Sequence, residues 1–462
     1  MKKKIFGLFL AMMMTVSLCA CGGGGEAGTS MAESSETLQE TTPSESTGKE
    51  TADTAESTEK EETKTTEESK EEAALTLETA KAGDVVDGIV VVDKKAPLEI
   101  PDNEALQFIR DLEIGWNLGN TFEASDCNWL SNELDYESAW CGAKTTQGLI
   151  KELKNVGFKT IRVPVSWHNH IDENYNISPA WMDRVEEVVK WALDEDMYVI
   201  INIHHDNAED FEYPSYDKLD HAKAYVTKIW SQIADRFADY DEHLIFETMN
   251  EPRQVGTNNE WWIDVSSDVG KESMDCVNQL NQAIVDVIRE NGKGYNSSRY
   301  IMAPGYCASA DYVIADGYKL PEDPKATAEN RIIVSVHAYT PYNFALNLGS
   351  GSTDVFDIKT KKGTGDIDGF MKKLYEKFVS KGIPVLIGEF GALDKDNTDS
   401  RMQFAAYYTY NARHYGMSCL FWDNNAYKTN GENFRLIDRK SLTWVFPEIV
   451  DQMMHYCGDE ES

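Results

Sequence analysis

Beyond about residue 100 the chain alternates between two apolar patterns. Short runs with apolar side chains at most positions occur at residues 114–118, 160–165, 198–203, 244–249, 300–303, 332–336, 385–388 and 419–422. Runs of that kind suit parallel strands covered on both faces. Between them apolar residues return every three or four positions, the period of a helix with one buried face. Residues 146–156 and 179–193 read this way, the second with Trp181, Val185, Val188, Val189 and Ala192 on one side. So do residues 225–237, 277–290, 370–379 and 399–415. Strands alternating with helices make parallel βαβ units, and eight such units predict an α/β fold of the closed (β/α)8 type, a TIM barrel. An open doubly wound sheet is the alternative, but no Gly-rich phosphate turn follows the first run. The apolar patch at residues 89–92 stands outside this series and reads as a lone strand or as linker.

The first 100 residues follow neither pattern. Residues 1–20 carry three lysines, an apolar run and small residues, the layout of a secretory signal, and the run is too short for an ordinary membrane span. Leu18-Cys19-Ala20-Cys21 resembles a bacterial lipobox, which implies cleavage before Cys21, lipid on its thiol and a cell-surface protein anchored in a bacterial membrane. Residues 21–100 are expected to be an acidic linker. From residue 22 to 80 it has no Phe, Tyr or Trp, so it cannot bury enough surface to offset its ordering entropy. Residues 101–462 are left for the barrel. The formal net charge of −35 argues against nucleic acid as a partner. Cys127, Cys141, Cys276, Cys307, Cys419 and Cys457 show no metal-type spacing. A Cys127–Cys141 disulfide stays open. No cofactor or metal is expected, and a monomer is.

In a parallel barrel, chemistry gathers where strands end, because the loops there surround one mouth. The second run ends near Arg162, the third on His204 and His205, and the fourth on Asn250 and Glu251. The sixth ends on His337 and Tyr339, the seventh on Glu389 and the eighth on Trp422. Two carboxyls at such a mouth form the working pair of a glycoside hydrolase, one protonating the leaving oxygen and one attacking the sugar. Arg162 and Tyr339 can keep a nucleophilic carboxylate ionised by charge and hydrogen bond. A less solvated setting would keep the acid protonated. Asn250 offers an amide to a sugar hydroxyl, and Trp422 a flat apolar face to a pyranose ring.

The motifs that carry these residues resemble a known family. They are Gly115-Trp116-Asn117-Leu118-Gly119-Asn120, Arg162-Val163-Pro164-Val165, Ile200-Ile201-Asn202-Ile203-His204-His205, Phe246-Glu247-Thr248-Met249-Asn250-Glu251-Pro252-Arg253, Val336-His337-Ala338-Tyr339 and Ile387-Gly388-Glu389-Phe390-Gly391. They are similar to family-5 glycoside hydrolases, and within that family to subfamily-4 endoglucanases and xyloglucanases, in one collinear order over residues 105–445. The resemblance implies a retaining endo-β-1,4-glucanase that hydrolyses β-glucan by double displacement. Xyloglucan-specific or broad-specificity β-glucanase and lichenase activity is the alternative. By position, Glu251 would be acid/base and Glu389 nucleophile. Arg162, His204, Asn250, His337 and Tyr339 would form the supporting shell, Trp422 the sugar platform, and His205 and Asn117 weaker substrate contacts. Asp196 departs from the pattern, since relatives often carry Gly there. A lipid-anchored glycan-binding protein without turnover is the reading from another class, and the presence of both carboxylates counts against it.

Other residues have blander readings. Glu247, inside the fourth strand, reads as a structural glutamate of the barrel interior. His168 and His170 read as surface histidines. His204-His205 could suggest metal, but adjacent strand residues should face opposite ways. Aromatic residues follow the first, fourth and sixth strands: Phe122, Trp129 and Trp140, then Trp261 and Trp262, then Tyr342 and Phe344. Where exposed, such rings would be sugar-stacking platforms for a wide cleft.

Overall fold

The computed structural model describes residue 76 and residues 79–458. The signal, Cys21 and most of the linker lie outside the described residues. An antiparallel hairpin of β1 (Val85–Val86) and β2 (Ile89–Val90) comes first, then α1 (Glu104–Asp111). The barrel strands are β3 (Ile114–Leu118), β4 (Thr160–Val163), β5 (Tyr198–Asn202), β6 (Leu244–Glu247), β7 (Ile301–Ser309), β8 (Ile332–His337), β9 (Val385–Phe390) and β10 (Ser418–Asp423). They pair in chain order, all parallel, and β10 returns to β3 to close the barrel.

Helices α2 (Gln147–Val156), α3 (Pro179–Asp194), α4 (Leu219–Arg236) and α5 (Asp268–Asn291) cover the first half. The short α6 (Ala310–Ile314) and α7 (Tyr342–Ala345) lead to α8 (Thr364–Lys377), α9 (Thr398–His414) and α10 (Pro447–Tyr456). Helix α5 begins well before the expected residue 277, capped by the Ser267 side chain accepting from the Gly270 N–H. Its early turns are mostly polar, so apolar spacing revealed only its later turns. Strand β7 runs on past residue 303 because its pairing with β8 resumes at Ser309 after an irregularity.

One expectation is corrected here. The range read as linker up to residue 100 is built into the fold from the hairpin onward. Val90 is buried, and its N–H donates to Gln452 Oε1 on α10 at 2.8 Å. Gln452 Nε2 donates to the Gly88 carbonyl and the Tyr456 hydroxyl to the Val90 carbonyl. Within the patch at 89–92, residues 89–90 are thus a strand of a hairpin, docked on a helix more than 350 residues away in sequence.

Inside the barrel the core is layered. Ile200, Ile245, Met302, Ile333, Leu386 and Leu420 form an apolar plug with Ala105, Phe108, Ile109 and Leu112 from α1 and the turn after it. Gly115 makes room for this layer, since a Cβ there would lie 2.3 Å from Leu420 Cγ. Helix α1 therefore closes the N-terminal end of the barrel. The chemistry is left to the other end, as in barrels generally.

Candidate active site

Strand residues alternate in direction, so the residues two positions beyond the plug also point inward. They are polar: Asn202 follows Ile200, Glu247 follows Ile245 and Ser335 follows Ile333, while Asn117 and Arg162 come from β3 and β4. All are buried. Arg162 joins them. Its Nε donates to Glu247 Oε2 at 2.7 Å and its NH1 to Glu389 Oε1 at 2.7 Å and Asn117 Oδ1 at 3.0 Å. Its NH2 donates to Asn250 Oδ1 at 2.7 Å. Glu247 also accepts from Asn202 Nδ2 and the Ser335 hydroxyl. Burial pushes its pKa up, but the Arg162 charge and these bonds prevail and hold it down at about 2. Glu247 is a structural carboxylate, as expected.

Glu389 follows inward-facing Gly388, yet it also reaches the mouth. The β8–β9 register slips between Val336 and His337, which re-aims the strand end. Glu389 Oε2 accepts from the Tyr339 hydroxyl at 2.8 Å. Burial and then the Glu389 charge push the Tyr339 phenol well up, so it remains a donor.

His337 Nδ1 lies 2.9 Å from Glu251 Oε1 and 3.6 Å from Glu389 Oε1. Burial disfavours its charge, but the neighbouring carboxylates, Glu389 foremost, raise its pKa to about 9. Glu251 goes the other way: burial acts upward, and the hydrogen bond and charge of His337, with the charge of Arg253, outweigh it. The expectation that poor solvation keeps this acid protonated is therefore corrected. At neutral pH the proton of the pair sits on His337. Ligand-type atoms of Glu251, His337 and Glu389 lie within 4.8 Å of one another. This is the group among the described residues with metal-like spacing. It already contains its cation in protonated His337, with Arg162 beside it.

His204 and His205 both face the mouth, because β5 ends at Asn202 and strand alternation stops there. The His204 ring lies parallel to Trp422 at 6.0 Å, and His205 sets its edge against His204 and approaches Trp140 at 5.7 Å. Burial keeps both neutral: it pushes His204 well down and, with Arg253 nearby, His205 to about 4. Trp422 is seated against Gly119, where a Cβ would come within 2.8 Å of the indole.

Several expectations fail in this region. Asn117 is fully buried and bonds Arg162 and the Gly388 carbonyl, so it orients the site and does not reach a sugar. Arg162 is buried too, so of the two expectations for it, direct substrate contact is the one the structure does not offer, while the contact with Glu389 is present. Phe122 and Phe344 are core residues; Phe122 packs on Trp181. His170 is buried and the His168 side chain is only 7% exposed, so neither ring is superficial. His168 pairs with Asp206, which with Asp126 raises it to about 9 against the cost of burial, while His170 stacks on Trp181. Trp129, Trp140, Trp261, Trp262 and Tyr342, by contrast, are exposed by 41–71%. All six described cysteines are free, including Cys127 and Cys141.

Two residues near the pair escaped the sequence reading. Arg253 lies 3.5 Å from Glu251 Oε2. Glu432, on the loop after β10, has its pKa raised by burial and by the charges of Glu251 and Glu389. Neither sits at a strand end, and only the Asn-Glu-Pro-Arg run hinted at Arg253.

A family model described as Cellulase (glycosyl hydrolase family 5) matches residues 120–428. The chain is 39% identical over 364 residues to endoglucanase A of Clostridium longisporum, covering 78% of this chain and 67% of that protein. It is similar to the structure of a GH5 family lichenase from Caldicellulosiruptor sp. F32, with a TM-score of 0.78 and 52% identity over 79% of this chain and 99% of the other. A GH5-4 broad specificity endoglucanase from Ruminococcus champanellensis with bound cellotriose aligns with a TM-score of 0.69 and 41% identity, covering 77% of this chain and all of the other.

Proposed function

The chain belongs to the cellulases of glycosyl hydrolase family 5, a glycoside hydrolase family, and from that premise we propose that it is a retaining endo-β-1,4-glucanase with Glu389 as nucleophile and Glu251 as acid/base. The observation that carries this reading is the separation of the two carboxylates. One oxygen of Glu251 lies within 4.8 Å of one oxygen of Glu389. Retaining pairs stand about 5–5.5 Å apart, and inverting pairs at about 6.5–9.5 Å leave room for a water that this spacing does not.

Glu389, held in place by the hydrogen bonds from Arg162 and Tyr339, attacks the anomeric carbon. The leaving oxygen takes a proton from Glu251, and a glycosyl-enzyme forms. A sugar entering the mouth displaces water from Glu251, which raises its proton affinity and draws the His337 proton across their 2.9 Å hydrogen bond. Glu251 then acts as base on the water that releases the product. The exposed rings at Trp129, Trp140, Trp261 and Trp262 favour a wide cleft and the broad-specificity alternative, with lichenase and xyloglucanase activity alongside.

The roles separate by leaving group. Glu389→Ala is expected to abolish turnover of every substrate, with a loss of about 10⁴-fold or more. Glu251→Ala is expected to retain most activity on aryl cellobiosides whose phenol leaves without protonation. Equal inactivity of both variants on an activated aryl cellobioside would reverse or remove the assignment.

The Cys21 motif and the linker behind it support a lipid-anchored, cell-surface monomer. Cys21→Ser should move the protein from the membrane fraction to the medium with the activity of the released enzyme unchanged. Wild-type protein recovered wholly in the medium, without lipid at Cys21, would refute the anchor.

A further inference from the structure

Arg253 is 7% exposed, and its guanidinium is held on three sides. NH1 donates to the Glu251 carbonyl at 3.0 Å and lies 3.5 Å from Glu251 Oε2. Nε, which has no hydrogen-bond partner, lies 3.6 Å from Glu260 Oε1. The Trp261 ring covers the guanidinium at 4.1 Å. Glu260 is itself fixed, because its Oε2 accepts from the Gly256 N–H. Strand β7 pins both ends of this loop. The Tyr306 hydroxyl accepts from the Gln254 N–H and donates to the Asn259 carbonyl. The Cys307 N–H donates to the Pro252 carbonyl and its thiol to the Glu260 carbonyl. Cys307 and Ala308 hold left-handed φ values of 53° and 48°, a strain that surrounding structure must maintain.

We propose that Arg253, clamped between Glu251 and Glu260 beneath Trp261, is a positioning residue that sets how tightly the acid/base carboxylate holds its proton. This rests on the glycosidase reading above. Contacts run in one line: Tyr339 to Glu389, His337, Glu251, Arg253 and Trp261. Arg253 therefore acts on Glu251 from the side away from the nucleophile. Glu251 meets His337 from β8, His205 from the turn after β5, Cys307 from β7, Glu389 from β9 and Glu432 from the loop after β10. Arg253 meets Glu212, His205, Tyr306 and Cys307 besides its two carboxylates. It is the cation nearest to the Glu251 oxygen not bonded by His337. Glu260 draws part of that charge away, so the two residues oppose each other.

The test is the pH profile of kcat/KM on a soluble β-glucan from about pH 4 to about pH 10.5, with melting curves for every variant. Loss of the proton shared by the Glu251–His337 pair gives the descending limb. Arg253→Met removes a cation that favours the ionised acid, so that limb should move up by about half a unit to one unit. Glu260→Gln should move it down by a few tenths. Arg253→Lys should return it to within about 0.2 units of wild type. Opposite shifts with restoration by lysine support the inference. A limb unmoved in Glu260→Gln and Arg253→Met, with only the melting temperature lowered, overturns it in favour of a loop anchor. Should Arg253→Met not fold, the conservative Glu260→Gln decides alone: a downward limb supports, an unmoved one overturns. A wild-type enzyme that releases no reducing sugar from any β-glucan fails the hydrolase reading itself, a distinct result.

Discussion

At Glu247 the charge of Arg162 meets a carboxylate with no exposed surface, and the same guanidinium reaches Glu389. Glu247→Gln would leave Arg162 with one ionised partner instead of two. We expect a loss of about 3 kcal/mol or more, since breaking a buried pair strands its other charge. Turnover should also fall, because the charged bond from Nε to Glu247 no longer fixes the guanidinium beneath Glu389. The pH dependence follows from the direction of the shift. The folded pKa of about 2 lies below the ordinary 4.5, so the stabilisation is complete above about 4.5 and lost as pH falls through about 2. Urea unfolding at pH 7 and near pH 3 should show wild type weakening and Glu247→Gln changing less; parallel losses would contradict this. Sequence exposed Glu251 and Glu389 because each closes an apolar run beside Pro or Gly. It could not expose Glu432 or the partners of Arg253, which meet the pair only through loops of irregular path.

Among elements, the end of α3 makes the clearest case. The Met197 N–H donates to the Ala192 carbonyl and the Asp196 N–H to that of Leu193, which places Asp196 at the left-handed stop of the helix with φ 56°. Glycine takes that conformation without a Cβ penalty. Asp196→Gly should raise stability by about 0.5–1 kcal/mol with activity unchanged. A lower melting temperature would show that the carboxylate has a local partner worth more than the backbone relief. Most strands and helices were legible from period alone. Their starts were not where the first turns are polar, as in α5, and the hairpin was not because its partner α10 is remote in sequence.

At the scale of the molecule, substrate breadth is set by loops from separate strands. Trp129 and Trp140 follow β3, Trp261 and Trp262 follow β6, and Tyr342 follows β8. Flat rings hold glucosyl units by apolar contact and tolerate branches, whereas a narrow cleft would reject them by clash. We expect xyloglucan and linear β-glucan to be cut at rates within about tenfold of each other, and mannan at least about tenfold more slowly. Initial rates at matched mass concentration decide it. Intact xyloglucan beside degraded carboxymethylcellulose would reject the wide cleft, and a mannan rate above both would displace the glucanase reading.

The alternation of apolar runs with helical periods determined the barrel, since each strand must bury two faces and each helix one. Chemistry at strand ends was legible for the same reason: a residue that closes a parallel strand has only the mouth to face. What only the tertiary structure decided was depth and charge. Asn117 and Arg162 sit at strand ends like His337 and Trp422, yet they lie below the surface that a sugar can touch. His168 looked superficial until Asp206 closed over it. The proton of the Glu251–His337 pair rests on His337 because three carboxylates, from β6, the loop after it and β9, converge on one ring. Such convergence depends on distances between segments far apart in the chain, and no local pattern carries them.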